Sequence, residues 1–386
     1  MSKKSNKRGG RFLVVDLLNS FSKSELADLG SFVACDYHNT DVQIVYLLEG
    51  LIQEVIHKKA FDDAAQCVVY RATFPKKAIP KKSLNAQQKG SLLAKMTILL
   101  RLVETFLMYE ELKENGACKT ELLYPQLLRR KQFSLFHRNM TKDDKVLKIK
   151  TNKDVRDYTQ KFKIESEHLL YLHHKELLRT EDNMPELIES LDVGYLINKL
   201  KVYISCVALA QISAKKTYDM QPLEATAPLL NLSQYAKHPL IHIHRVALDL
   251  LQKDTPTLYE ELIKLLDVNE QYISNKDFND LYKIAGNFCS KKIKQGNSEF
   301  YQHAFNLYRI MDDKNLLKEN NFMPTGKLKN IITVSCKVGE FNWAKETIEK
   351  YRPNLEKAHA NSVYHFNVGA VAFYQNDFKT ALSHFI

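Results

Sequence analysis

The chain is poor in the residues that break helices. Only 12 glycines and 10 prolines occur in 386 residues, too few for the many tight turns and strand corners of an all-β fold. The six cysteines, at 35, 67, 118, 206, 289 and 336, stand about thirty or more positions apart and form no C-x-x-C pair, which excludes zinc knuckles and dithiol redox motifs. They are expected as buried, reduced thiols in a reducing compartment. No glycine-rich phosphate loop is present, since Gly90-Ser91 and Gly326-Lys327 lack the remaining glycines, and neither His-Glu-x-x-His nor Gly-x-Ser-x-Gly occurs. Asp62-Asp63 and Asp312-Asp313 are expected in solvated settings. The reading is therefore non-enzymatic, with no catalytic residue, cofactor or metal site.

Long apolar runs are also missing. The basic start Met1-Ser-Lys-Lys-Ser-Asn-Lys-Arg precedes Phe12-Leu-Val-Val, but Asp16 interrupts the run and no small-residue cleavage site follows. No stretch reads as the eighteen or so consecutive apolar residues of a membrane span, so a cytoplasmic protein is expected.

What is abundant is helix-forming sequence. Hydrophobic residues make up 45% and charged residues 26%, a composition that folds. Ser22 with Glu25, and Thr40 with Gln43, have capping-box spacing, the second ahead of a helical period over Val42–His57. Residues 74–85 hold two prolines and four lysines and read as a solvated loop. From Ala86 to Glu114, Leu92, Met96, Leu99, Val103 and their neighbours recur at steps of three and four, and Asn115-Gly116 reads as the helix stop. Beyond Met184, Pro185 and Thr255-Pro256 mark helix starts, while Lys215–Gln221 and His238-Pro239 read as turns. Four sections follow: 1–73, 74–180, 181–279 and 280–386.

The net charge of +11 is concentrated. Residues 74–160 hold 19 Lys/Arg against 9 Asp/Glu, whereas the rest of the chain is nearly balanced. Arg129, Arg130, Lys131, Arg138, Lys142, Lys145, Lys148 and Lys150 form a candidate basic patch for RNA or DNA, with Phe133, Phe136 and His137 available for stacking. The alternative is a solvated helical face or one that meets an acidic protein. His238, His242 and His244, and separately His168, His173 and His174 beside Glu165 and Glu167, are read as histidines flanking helices rather than metal ligands.

The most specific feature is an internal repeat of 37 residues. It relates Asn330 to Asn367, Phe341 to Phe378, Ala344 to Ala381 and Ile348 to Phe385, with Gly339-Glu340 facing Asn376-Asp377 at the turn between two helices. A looser copy runs through Asn287, Gly296, Tyr301, Ala304 and Tyr308. The alanines let two helices approach closely, and the large residues on the same face reach the next unit.

At Asn367-Val-Gly369…Phe378-x-x-Ala381-x-x-x-Phe385 the chain resembles the tetratricopeptide repeat family, clearly over 325–386 and more weakly back to residue 280. In the other copy Ile332 stands where the family has a small residue. The layout also resembles bacterial repeat proteins, a likeness that implies no function. The resemblance implies an all-α fold, a right-handed α-solenoid-like array of antiparallel helix pairs preceded by an irregular helical block. It also implies a groove lined by first helices that holds a protein or peptide partner. In this chain those residues are Lys329, Asn330, Thr333 and Lys337, then Phe366, Asn367, Ala370, Phe373 and Tyr374, with Asn330 and Asn367 placed to hold a ligand backbone. Thr333 replaces an asparagine that the carboxylate-gripping form needs. Because Phe385 and Ile386 would leave an apolar face uncapped, either further sequence or a partner is expected there.

Overall fold

The computed structural model describes residues 13–54, 61–77, 83–114, 116–213, 217–319 and 321–386. The basic N-terminal start, the centre of the Pro/Lys loop, Asn115 and Lys215 lie outside the described residues, as do the end of the Val42–His57 period and the side chain of Cys118. The protein is all-α. Among the described residues the one extended pairing is an isolated bridge between Glu319 and Phe322. The chain forms two compact units, Met1–Leu122 and Leu123–Ile386.

The first unit contains α1 (Leu13–Leu18), α2 (Lys23–Val33), α3 (Val42–Glu54), α4 (Asp63–Thr73) and α5 (Ala86–Glu114). Ser22 caps α2 as its spacing predicts: its hydroxyl accepts from Glu25 N, and the Glu25 carboxylate accepts from Ser22 N. At the start of α3 the cap is Asp41, not Thr40. The Asp41 Oδ1 accepts from Gln43 N at 3.0 Å, and its other oxygen is bridged by Lys95 of α5. A carboxylate there both caps the helix and ties it to a neighbour by an ion pair, which a neutral hydroxyl cannot form. α3 packs against α2, α4 and α5. One core runs from Val14 through Leu47 and Val69 to Leu99 and Phe106, so helices from both sides of the 74–85 loop meet in it.

α6 (Gly116–Arg129) leads into the second unit, which continues with α7 (Phe133–Ile149), α8 (Val155–His174) and the long α9 (Met184–Ile212). Three single turns follow, α10 (Gln221–Glu224), α11 (Ala227–Leu230) and α12 (Ser233–Ala236). Then come α13 (Pro239–Lys253), α14 (Pro256–Val268), α15 (Asn275–Lys294), α16 (Phe300–Asp313), α17 (Thr325–Lys337), α18 (Phe341–Tyr351), α19 (Ala360–Tyr374) and α20 (Phe378–Phe385). Pro185, Pro239 and Pro256 each sit in a first turn, where a missing N–H costs nothing. A continuous core links α9 to α19, and from α15 onward each helix packs on the next.

α9 corrects the expectation that no segment is apolar enough for a membrane. Among the described residues it is the one helix that meets that test by length and composition, with a mean hydropathy of 1.3 over its best window. Asp192, Lys199 and Lys201 hide this when consecutive residues are counted. Its inner face packs on α8 and α13 through Val193, Leu196, Ile197 and Leu200.

Three turns in the repeat section share one geometry. Gly296, Gly339 and Asn376 have φ of 92°, 84° and 63°, and the following residues donate backward: Asn297 N to Lys292 O, Glu340 N to Ser335 O, and Asp377 N to Ala372 O, at 3.1, 2.9 and 2.9 Å. This left-handed helix stop ties up orphan carbonyls and reverses the chain within a few residues. Ala304, Ala344 and Ala381 are all buried. Asp312 is buried too, contrary to the expectation of a solvated pair. It accepts from Lys350 Nζ at 2.8 Å and from the Tyr351 hydroxyl, which pins α16 to α18. Cys67, Cys289 and Cys336 are buried, but Cys35 is exposed beyond the end of α2.

Candidate partner groove

α17 carries no acidic residue, and neither does α19. On α17, Lys329, Thr333 and Lys337 repeat every four residues and therefore share a face. The positions one repeat later on α19 are Phe366, Ala370 and Tyr374. The two faces meet at both ends. Lys329 Nζ lies 4.8 Å from the Phe366 ring centroid, and Lys337 Nζ lies 5.2 Å from that of Tyr374. Two contacts between equivalent positions, eight residues apart on each helix, require α17 and α19 to run parallel and in register.

A concavity of about 360 Å³ opens at the N-terminal end of this pair, lined by Thr325, Gly326 and Lys329 on one side and Ser362, Val363, Phe366 and Asn367 on the other. Asn367 is buried. Its Nδ2 donates to Val363 O at 2.7 Å, while its Oδ1 is buried without any hydrogen-bond partner. An unmet acceptor of this kind costs about 1–3 kcal/mol and marks a place where a donor is wanted.

The other expected groove residues are distributed less evenly. Asn330 is exposed, unlike Asn367 one repeat later. α19 has α17 beside it to cover Asn367, whereas the main neighbours of α17 are α16, α18 and α19, with α15 not among them. Phe373 is exposed and turns toward α20, edge-on to Phe378 at 5.7 Å. Thr333 is half-buried and Lys337 is exposed. Thr325, Gly326, Ser362 and Val363 were not singled out by sequence; the signal was available, because each precedes a recognised groove residue by three or four positions.

The basic residues converge only in part, three of them sharing one helix face. Arg138, Lys142 and Lys145 are exposed along α7, opposite its buried Phe136, Met140 and Leu147. Lys148 is paired with Asp144 at 2.7 Å, and Lys150 with Asp157 at 2.8 Å. Arg130 bonds the Gln126 side chain, while Arg129 and Lys131 are exposed at the α6–α7 turn. Phe136 is fully buried and stacks on Tyr171 rather than facing solvent.

The histidines also separate. His238 Nε2 meets the Tyr158 hydroxyl at 3.0 Å, and burial, aided by Lys153, lowers its pKa to about 4. His242 lies 3.5 Å from Glu261, and buried His244 bonds Leu240 O at 2.7 Å. His168 approaches Glu165, which Lys161 and Asn183 also bond. Burial alone would raise the Glu165 carboxyl, but these hydrogen bonds outweigh it and bring its pKa down to about 2. Among the described residues no three His, Cys, Asp or Glu side chains gather as a metal site would require.

A larger cleft, about 840 Å³, lies between α14 and α16 over Tyr259 and Tyr282, with Asp267, Glu270, His303 and Asp313 at its rim. Sequence did not point to it because its lining comes from three helices. The chain matches no family model, no curated protein and no solved structure.

Proposed function

We propose that the chain is a non-enzymatic interaction scaffold, a tetratricopeptide-like α-solenoid of helix pairs that holds a peptide segment of a partner protein against α17 and α19. The observation that carries this reading is the buried, unpartnered Oδ1 of Asn367 in the wall of the 360 Å³ concavity. Turned outward from this buried position, the Asn367 amide offers that oxygen to a backbone N–H of an extended peptide. Lys329 and Lys337, with no carboxylate on either helix, favour an acidic segment, and the exposed edge of Phe366 offers apolar contact.

Display of a random peptide library on the full chain tests this. Enriched acidic peptides should bind at least tenfold more weakly to Lys329→Glu and Asn367→Leu, and equally well to Arg138→Glu. The competing reading, RNA or DNA held by the exposed Arg138, Lys142 and Lys145, predicts the reverse: steeply salt-dependent binding lost with Arg138→Glu. Absence of any enriched peptide overturns the groove assignment.

A further inference from the structure

The outward face of α9 has a period of its own. Ile188, Tyr195, Val202 and Leu209 lie seven residues apart, and all four are exposed. A second line, again at steps of seven, runs through Met184, Leu191, Asn198, Ser205 and Ile212, likewise all exposed. The two lines interleave at alternating steps of four and three, as a and d positions do in a coiled coil. Between Leu187 and Ala210 the remaining exposed residue is Glu189, so the solvent side of this stretch is the seam itself. The opposite side is spent on the core through Val193, Leu196, Ile197 and Leu200.

An apolar helix face left over by chance drifts with the 3.6-residue turn, about 20° per heptad. Here a 3.5-residue spacing is kept over four heptads, the spacing needed to follow a second supercoiled helix. The exposed fractions are high for such residues: 50% for Ile188, 45% for Tyr195, 58% for Val202 and 83% for Ile212. With their neighbours they offer on the order of 700 Å² per chain, close to the ~800 Å² each partner contributes to a standard interface.

We infer that α9 is a dimerisation helix and that its occupant is α9 of a second copy, parallel and in register. The two polar positions select this arrangement. In a parallel pair each seam residue faces its own counterpart, so Asn198 meets Asn198 and Ser205 meets Ser205, and both find hydrogen-bond partners. An antiparallel pair sets Asn198 against an apolar residue such as Val202. Polar residues set in an otherwise apolar seam favour the one register in which they face each other. The symmetric contact closes at two copies and carries two peptide grooves on one particle.

Sedimentation equilibrium of the full chain at about 10 μM, with a monomer mass of 44.7 kDa, should give twice that mass. Val202→Asp should shift it to monomer while retaining the far-ultraviolet helix signal, because the side chain is exposed within one chain; its melting temperature should fall to that of the monomer and lose its dependence on protein concentration. Ile149→Asp, at an exposed site on α7, should remain dimeric. Ser205→Cys, oxidised with copper-phenanthroline, should give a covalent dimer beyond the wild-type background, since facing d positions fall within disulfide reach of about 4.4–6.8 Å between Cα atoms. Monomer at 100 μM, or a dimer indifferent to Val202→Asp, overturns the proposal; so does recovery of the protein on phosphatidylcholine vesicles through the same residues. A dimer that does not cross-link through Ser205→Cys overturns the parallel register.

Discussion

Lys337 and Tyr374 stand one repeat apart, and their side chains touch, with the ammonium 5.2 Å from the ring centroid. Lys329 and Phe366 do the same near the other end of the helices. The 37-residue offset thus sets equivalent positions of α17 and α19 side by side at two heights. The groove between these two helices carries cationic and aromatic side chains at both ends, and the Asn367 Oδ1 is a buried polar atom without a partner.

Asn367→Leu should separate binding from stability. Removing a buried amide with an unmet oxygen leaves folding stability unchanged or raised by up to about 1 kcal/mol. Peptide affinity should fall at least tenfold. Urea denaturation beside a fluorescence anisotropy titration measures both, and a variant that loses stability along with binding would make Asn367 a structural residue only.

Ala344 sits fully buried where α18 meets its neighbours. Ala344→Leu forces extra methylenes into packed space and should destabilise the second unit by about 1–3 kcal/mol. Phe385→Ala, at an exposed ring, should cost less than the upper end of that range. Thermal melts followed by circular dichroism decide the order.

Tyr351 should contribute through its hydroxyl. Burial and the hydrogen bond to Asp312 push its pKa well above the usual phenol value, so it remains a donor throughout the working range. Tyr351→Phe takes one donor from a buried carboxylate that keeps Lys350, and a loss of about 1.5–3 kcal/mol is expected from chemical denaturation.

Acid should destabilise the protein in two stages, with the sign fixed by depressed pKa values. His238 titrates near 4 in the folded chain against 6.5 for the ordinary group. Its contribution is complete above pH 6.5 and is lost as pH falls from 6.5 toward 4, by about 3 kcal/mol at most. Glu165 follows, its contribution complete above 4.5 and lost as pH falls toward 2. Urea midpoints measured from pH 7 to 4 should drop, and His238→Gln should flatten the first stage. A wild-type profile level between pH 7 and 5 would contradict the burial of this imidazole.

Much of the fold could be read residue by residue. The bounds of α5, the Ser22–Glu25 cap, the prolines in first turns and the left-handed turn at Gly339 each depend on a few neighbouring residues, and local physics decides them. The groove was legible in part. Helical spacing placed Lys329 and Lys337 on one face, but burial separated Asn367 from Asn330, and Phe373 turned toward Phe378. Asp41 displaced Thr40 because Lys95, more than fifty residues away, holds its second oxygen. Asp312 was expected in water for the same reason: Lys350 and Tyr351 belong to another helix.

The sequence by itself determined the bounds of α5, the Ser22–Glu25 cap, the helix starts at Pro185 and Pro256 and the reversals at Gly296 and Gly339, because propensity and capping act over one or two helical turns. Tertiary structure alone decided what remains uncovered: the orphan oxygen of Asn367, the outward seam of α9 and the cleft over Tyr259. Exposure is a property of what packs beside a residue, and those neighbours arrive from distant parts of the chain.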